Sequence, residues 1–424
     1  MKQRTKRIFG RLSMKTVFSG IDLLSKMYRM SPPHLHVSDP IPDEETLKKG
    51  FDGKYNIYSR FSGHPDTGEL EQWFCNFEGG AQFRVYSSGM AAVTTALFAA
   101  GEMHGPIHVV AILPLYGGTY MWLRKLARSP SHHFLVTFLY ANDPNLHAQL
   151  YDSIGPSTRA IIFEVAGNPT LTIPNVEEIL RVAHKCKRNC ITICDNTFLT
   201  GLFHPLKWGV DVVVGSGTKY IVGQSSWLMG YLGVSQNFLE NCPEYWREVA
   251  EYSVELGAVL APIEAWLTKL CVADVMDRIM LQSINALAVA QFLETHPMVE
   301  RVVYPGLRSY SQHKNAMRYL ETIDGKQYFG SMISFYLKNA DYLHTMRFLY
   351  YLNNNTHIQH KASLGGPVDS IESPTGLSHA QYDPEHNLRC DITKNNVRLS
   401  VGRTVIPETT IAALDEALYA VNSY

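Results

Sequence analysis

CITICDNTFLTGLFHPLKWGVDVVVGSGTKY, residues 190–220, decides how the rest of the chain is read. It contains two short apolar runs, Cys190–Cys194 and Val210–Val214, rich in branched residues. Runs of this length and composition read as buried strands. The first closes on an acid and two small polar residues, Asp195–Asn196–Thr197. The second runs into Gly215–Ser216–Gly217–Thr218–Lys219–Tyr220. Similar runs stand upstream at Ile107–Leu113, Phe134–Leu139 and Ala160–Val165. Helical stretches lie between them, for instance Met90–Ala100, Thr119–Ala127 and Asn175–Lys187. Strands that alternate with helices imply βαβ units and a mainly parallel, doubly wound sheet, an α/β fold.

Beyond about residue 260 the texture changes. A long helical stretch is expected from Pro262 to about Thr295, then strands at Met332–Leu337 and Val397–Val401, and a closing helix at Pro407–Asn422. This is the pattern of a smaller C-terminal α+β domain. The expected division is an N-terminal arm over 1–57, a large cofactor-binding domain over 58–262 and a C-terminal domain over 263–424.

Composition narrows the function classes. The chain has 424 residues, 46% of them hydrophobic, enough for large cores. With 38 Lys plus Arg against 39 Asp plus Glu, the net charge is -1. No global field attracts nucleic acid or an acidic membrane, and intrinsic disorder is excluded. No apolar run is long enough for a spanning helix. Seven cysteines, an odd number, do not make a secreted disulfide scaffold. Cys186, Cys190 and Cys194 straddle a helix end and a strand, so their side chains diverge and no metal site is expected. His132, His133, His357 and His360 lie in polar stretches and are expected at the surface, while Trp227 and Trp266 are expected in the core. Residues 1 to about 30 carry eight basic residues (Lys2, Arg4, Lys6, Arg7, Arg11, Lys15, Lys26 and Arg29) against one acid, Asp22. That arm reads as solvated, with an organelle presequence as the alternative; no secretory signal is expected, and the expected compartment is cytoplasmic.

Chemistry concentrates at the strand ends, where α/β folds bind ligands. A lysine kept from water there has a lowered pKa and can form a Schiff base. Small hydroxyl residues beside Lys219 can bind a phosphate, and the Asp195 carboxylate can hold a pyridinium nitrogen protonated. These are the parts of a pyridoxal phosphate site. The spacing alone also fits a helix-capping Asp195 and an exposed Lys219, and that alternative stays open here. Ser87–Ser88–Gly89–Met90–Ala91 leads into a helix whose free N–H groups suit an anion, or forms an ordinary N-cap. Tyr116, beside Gly117–Gly118, can lie flat on an aromatic ring. Asn168, in Asn168–Pro169–Thr170, can donate to a ring oxygen. Arg398, in Arg398–Leu399–Ser400–Val401–Gly402, suits bidentate capture of a carboxylate.

Taken in order, these pieces resemble the Cys/Met-metabolism group of pyridoxal-phosphate enzymes, the cystathionine γ-synthase-like branch of the type I (aspartate-aminotransferase) fold. Tyr58–Ser59–Arg60, Ser363–Leu364–Gly365–Gly366 and Ser378–His379–Ala380 join them, so the resemblance covers roughly residues 55–424. It implies that Lys219 carries pyridoxal 5'-phosphate as a Schiff base, Asp195 pairs with the ring nitrogen and Tyr116 stacks on the ring. It implies that Gly89, Met90, Ser216 and Thr218 hold the phosphate, and that Asn168 sits beside the cofactor hydroxyl. Tyr58 and Arg60 would reach the phosphate of a neighbouring subunit, implying a homodimer with shared sites, usually doubled to a homotetramer. Arg398 and Ser363 would bind the substrate α-carboxylate, and Tyr116 would be an acid for the leaving thiol.

The resemblance has departures. Phe61–Ser62–Gly63–His64–Pro65 replaces the family's Asn-Pro-Thr, and Gly223–Gln224–Ser225–Ser226 replaces Gly-His-Ser-Asp. Ile57 and Ala362 stand where many cystathionine-handling members place acids, and Gly118 stands where methionine γ-lyases carry Cys. An apolar pair does not hold a distal ammonium well, which points to a less polar γ-substituent, such as that of methionine. The expected activity is elimination of a thiol from a sulfur amino acid at Cγ or Cβ, giving a 2-keto acid and ammonia. The alternatives are γ-replacement on an O-acyl-homoserine and a cofactor-binding homologue with little catalysis.

Overall fold

The computed structural model describes residues 32–51, 54–61, 63–102, 107–128, 134–186 and 190–422. The basic arm and its presequence alternative lie outside these residues, as do Ser62, His132 and His133.

The larger sheet has seven strands: β1 (Gln82–Tyr86), β2 (Ile107–Leu113), β3 (Phe134–Tyr140), β4 (Thr158–Glu164), β5 (Ile191–Asp195), β6 (Val212–Gly215) and β7 (Gly230–Val234), in the order β1-β7-β6-β5-β4-β2-β3. β2 to β6 pair in parallel, whereas β7 runs antiparallel to both β6 and β1. The apolar runs are continuous because both faces of this sheet are covered. Val110, Ile112, Ile161, Phe163, Cys194 and Val213 enter one core. Their neighbours Val109, Ala111, Ala160, Ile162, Ile193, Val212 and Val214 enter the core on the opposite face.

The second sheet has five strands: β8 (Val299–Val303), β9 (Met332–Leu337), β10 (Gln359–His360), β11 (Ser370–Glu372) and β12 (Asn396–Ser400), in the order β10-β11-β12-β9-β8. Its β10–β11 pair is parallel and the other pairs are antiparallel.

Three expectations need correction, and a fourth, for Trp227, agrees. β1 and β7 carry no strong signal, and the sequence reading lacks both. The expected continuous helix from Pro262 is two helices, Pro262–Cys271 and Val275–Thr295, separated by a 3-10 turn at Val272–Asp274. Arg278 explains the break: its guanidinium donates to Asp274 Oδ1 at 2.7 Å and to the Cys271 carbonyl at 2.6 Å, satisfying the end of the first helix. His357 and His360 are half-buried rather than at the surface. His357 Nε2 meets the buried Asp369 carboxylate at 2.8 Å. Trp227 packs against the core, and its Nε1 donates to Thr268 Oγ1 at 3.0 Å.

Candidate active site

The C-terminal ends of the parallel strands converge on one cavity of about 310 Å³. β1 leads into Ser88–Gly89–Met90, β2 into Tyr116, β4 ends at Glu164, β5 ends at Asp195, and β6 leads into Ser216–Gly217–Thr218–Lys219. Arg398 reaches the cavity from β12 of the other sheet. Of the residues expected from sequence, Lys219, Tyr116, Gly89, Met90, Asn168, Asp195, Ser216, Thr218 and Arg398 all line this cavity.

Three do not. Ser363 falls between Ala362 and Leu364, which do line it, and Ser363 itself turns its carbonyl to the Ser370 hydroxyl at 3.0 Å. Tyr58 is 42% exposed, and Arg60 donates to the Val254 carbonyl at 2.9 Å with its guanidinium over the Phe61 ring. Neither lines the cavity of its own chain.

Lys219 is largely buried. Burial, then the nearby Arg398 charge, lowers its pKa to about 8, with Glu372 opposing. Asp195 is held above the usual carboxylate range by burial, against two bonds from Thr197: the N–H at 2.9 Å and the hydroxyl at 2.6 Å, both on Oδ1. The Thr197 hydroxyl in turn accepts the Ser216 N–H at 2.8 Å, so the β5 and β6 turns are tied together.

The Gly89–Glu102 helix opens on the cavity. Ser88 caps it: its hydroxyl accepts the Ala91 N–H at 3.1 Å, and its carbonyl accepts that of Ala92 at 3.3 Å. The N–H groups of Gly89 and Met90 have no acceptor among the described residues, as an anion site at a helix start requires. A Cβ at Gly89 would stand 2.8 Å from the Ser216 Cβ, so glycine is what lets these two turns close into one cradle.

Arg398 is buried and paired with the equally buried Glu372 at 3.0 Å. The same Nη1 donates to Asn168 Oδ1 at 2.8 Å. Two consequences follow from the donor inventory. Asn168 has its oxygen taken, so its NH2 is what remains for a ligand. Arg398 keeps Nε and Nη2, a side-on pair that fits a carboxylate. Glu372 also accepts the Ser378 hydroxyl at 2.5 Å. Next to it, burial lowers the His379 pKa to about 3. The neutral ring therefore donates Nε2–H to the Leu115 carbonyl, at 3.1 Å.

Sequence reasoning missed Glu164 and Glu372. Glu164 carried a usable signal, because it ends a strand just as Asp195 does. Glu372 carried none, since its partner Arg398 is brought to it only by β11–β12 pairing.

A buried lysine with a lowered pKa, a strand-end acid, a tyrosine on the cavity wall and a helix start free for an anion fit a pyridoxal-phosphate enzyme of the type I fold. The family model for Cys/Met metabolism PLP-dependent enzymes matches residues 34–418, and the chain belongs to that family. It is 32% identical over 388 residues to a cystathionine beta-lyase of Lactococcus lactis subsp. cremoris, covering 90% of this chain and 94% of that one. It is 32% identical over 367 residues to an L-methionine gamma-lyase of Treponema denticola, covering 85% and 84%. A crystal structure of a putative O-acetylhomoserine (thiol)-lyase from Campylobacter jejuni superposes with a TM-score of 0.83 at 29% identity, covering 92% of this chain and 95% of that one. That structure contains N'-pyridoxyl-lysine-5'-monophosphate.

The Lys219 environment sets a pH test. A lysine is nucleophilic only when neutral, so uptake of pyridoxal phosphate by the apoprotein should quicken as pH rises through about 8 and level off above it. Rapid-mixing absorbance records the rate. A rate still climbing steeply at pH 10 would mean an ordinary exposed lysine.

Proposed function

We propose that the protein is a pyridoxal-phosphate-dependent C–S lyase that eliminates a thiol from the γ carbon of a thioether amino acid without a distal charge, of which methionine is the type. One observation supports this reading most. The charged residues lining the cavity are Glu164, Asp195, Lys219 and Arg398; Glu164 is spent on the main-chain N–H groups of Tyr116 and Asn168, and the other three have uses near the cofactor or the α-carboxylate. The rest of the wall includes Val93, Val165, Phe198, Leu228, Ala362 and Leu364. No lining charge among the described residues is left for a second amino or carboxyl group, and burying such a group unpaired is costly.

Pyridoxal phosphate, when bound, supplies the electron sink that makes the α-carbon proton acidic. The chain does the rest. Nε and Nη2 of Arg398 take the α-carboxylate, while Glu372 keeps the guanidinium in place. Asp195, oriented by Thr197, holds the proton at the ring nitrogen. The Lys219 amine moves protons at the α and β carbons, a role its lowered pKa suits. The Tyr116 hydroxyl protonates the departing sulfur. One water is consumed, and the products are a thiol, a 2-keto acid and ammonia.

The deciding experiment offers the holoenzyme methionine, cystathionine, cysteine and O-acyl-homoserines, with and without added thiol, and identifies the keto acid. A four-carbon keto acid from methionine, well ahead of cystathionine, is the expected result. Product from an acyl-homoserine only when thiol is present would replace the lyase with a γ-replacement enzyme.

The same reading includes a homodimer, doubled to a homotetramer, in a cytoplasmic setting. Its arm is 1–57, its large domain 58–262 and its C-terminal domain 263–424. No helix among the described residues is long and apolar enough to cross a membrane. Tyr58 and Arg60 would serve the neighbouring subunit's phosphate, in keeping with their absence from the lining of their own cavity. Arg60→Ala is therefore expected to weaken cofactor binding about tenfold, the scale of a lost charge-assisted bond. Equilibrium titration of the apoprotein checks this, and unchanged affinity would confine Arg60 to its local bond with Val254.

A further inference from the structure

Glu164 is the charged residue of the cavity wall that the proton and carboxylate steps leave unused. It is the last residue of β4, 8% exposed, and stands in register with Asp195 on β5. Its two oxygens are spent on two different turns. Oε1 accepts the main-chain N–H of Tyr116 at 2.5 Å, and Oε2 accepts that of Asn168 at 2.9 Å. One carboxylate thus joins the turn that carries the stacking ring to the turn that carries the amide donor.

Both turns depend on such grips. The Tyr116 turn is also clamped from behind, because the Tyr382 hydroxyl donates to the Leu115 carbonyl at 2.8 Å and accepts its N–H at 3.1 Å. The Asn168 turn is strained. Ala166 and Leu171 are buried non-glycine residues at φ 59° and 53°, the left-handed region that side chains resist. Such a turn keeps its shape only where its surroundings fix it, and the Glu164 bond lies between those two residues.

We propose that Glu164 is a positioning residue for the cofactor: through the main-chain amides it fixes the spacing between the Tyr116 ring and the Asn168 amide, and so the seat of the cofactor ring. This rests on the cofactor assignment and not on the choice of substrate. It singles out reach rather than charge. Glutamate spans both amides, aspartate is one methylene short, and glutamine brings an NH2 group against one of two N–H donors.

The test uses holoenzyme without substrate. Glu164→Asp and Glu164→Gln are compared with the parent by circular dichroism of the visible cofactor band, which reports the asymmetric seating of the ring, and by cofactor titration of the apoprotein. Both variants should lose much of the band and bind cofactor about tenfold more weakly. The same Glu164→Asp change is then made in a Tyr116→Ala, Asn168→Ala background. There it should add almost nothing, since no side chain is left to position. A Glu164→Asp protein with the parent's band and affinity overturns the inference. So does an equal further loss in the double-alanine background, which would mark a structural role only. If Glu164→Gln does not fold, the aspartate series carries the test alone. A protein inert towards methionine whose band still responds as described keeps this inference and removes the substrate assignment.

Discussion

Lys219→Ala should lower keto-acid release by about ten-thousandfold, because one substitution removes both the nucleophile that holds the cofactor and the base that moves the proton. The loss has a visible counterpart, since cofactor added to the variant should bind without the absorbance of a lysine Schiff base. The reason is positional. Lys219 stands at the β6 end, among a wall whose other bases are committed: Asp195 to Thr197 and Glu164 to two main-chain amides. A variant that retained the lysine-linked band, or a tenth of the activity, would falsify the assignment of Lys219. Exogenous amine, supplied at high concentration, should restore a fraction of the lost rate if proton transfer is what was lost.

Arg398→Leu should be nearly as severe, and in two separable ways. The substrate loses its carboxylate partner, so KM should rise about a hundredfold. The fold loses a buried ion pair from one side only. Glu372 is then left charged inside the protein, with one oxygen already lacking a partner. Breaking a buried pair in this way costs about 3–5 kcal/mol, whereas replacing both members by apolar side chains costs less. Denaturant unfolding of Arg398→Leu beside the Arg398→Leu, Glu372→Leu pair separates the two effects. The double variant should recover much of the stability and none of the substrate affinity. If it is no more stable than the single variant, the pair is not what holds β11 against β12.

Residues of the site differ in how far the sequence reveals them. Lys219 and Asp195 were legible because each ends an apolar run, and runs buried on both faces stand out from their surroundings. β7 was not, because its sequence, Gly230–Tyr231–Leu232–Gly233–Val234, reads as a turn. Its glycines answer to neighbours that come close in space: a Cβ at Gly233 would meet the Phe83 ring at 2.2 Å, and one at Gly230 the Ser88 carbonyl at 2.1 Å. Proximity of that kind is a property of the folded sheet and leaves no local period. The same holds within the site. The cavity lining was mostly readable from motifs, yet the two carboxylates that fix Tyr116 and Arg398 act through contacts 48 and 26 residues apart in sequence. Ser363 stands between two lining residues for the opposite reason: a motif fixes a position along the chain but not which of Ala362, Ser363 and Leu364 line the cavity.

Arg278 belongs to a helix outside the cavity, and it holds the main chain just past Lys219. It donates to the carbonyls of Tyr220 at 2.8 Å and Ile221 at 3.0 Å, and a Cβ on Gly223 would collide with its guanidinium. The next residues, Gln224, Ser225 and Ser226, lie exposed. Arg403 bridges the two stretches, donating to the Gly223 carbonyl at 2.8 Å and to Gln224 Oε1 at 3.2 Å. Side chains in the exposed stretch can change while the lysine keeps its address. Mutational tolerance should therefore rise across a single peptide bond, from Gly223, where hardly anything is permitted, to Gln224, whose exposed side chain gives up one bond to Arg403.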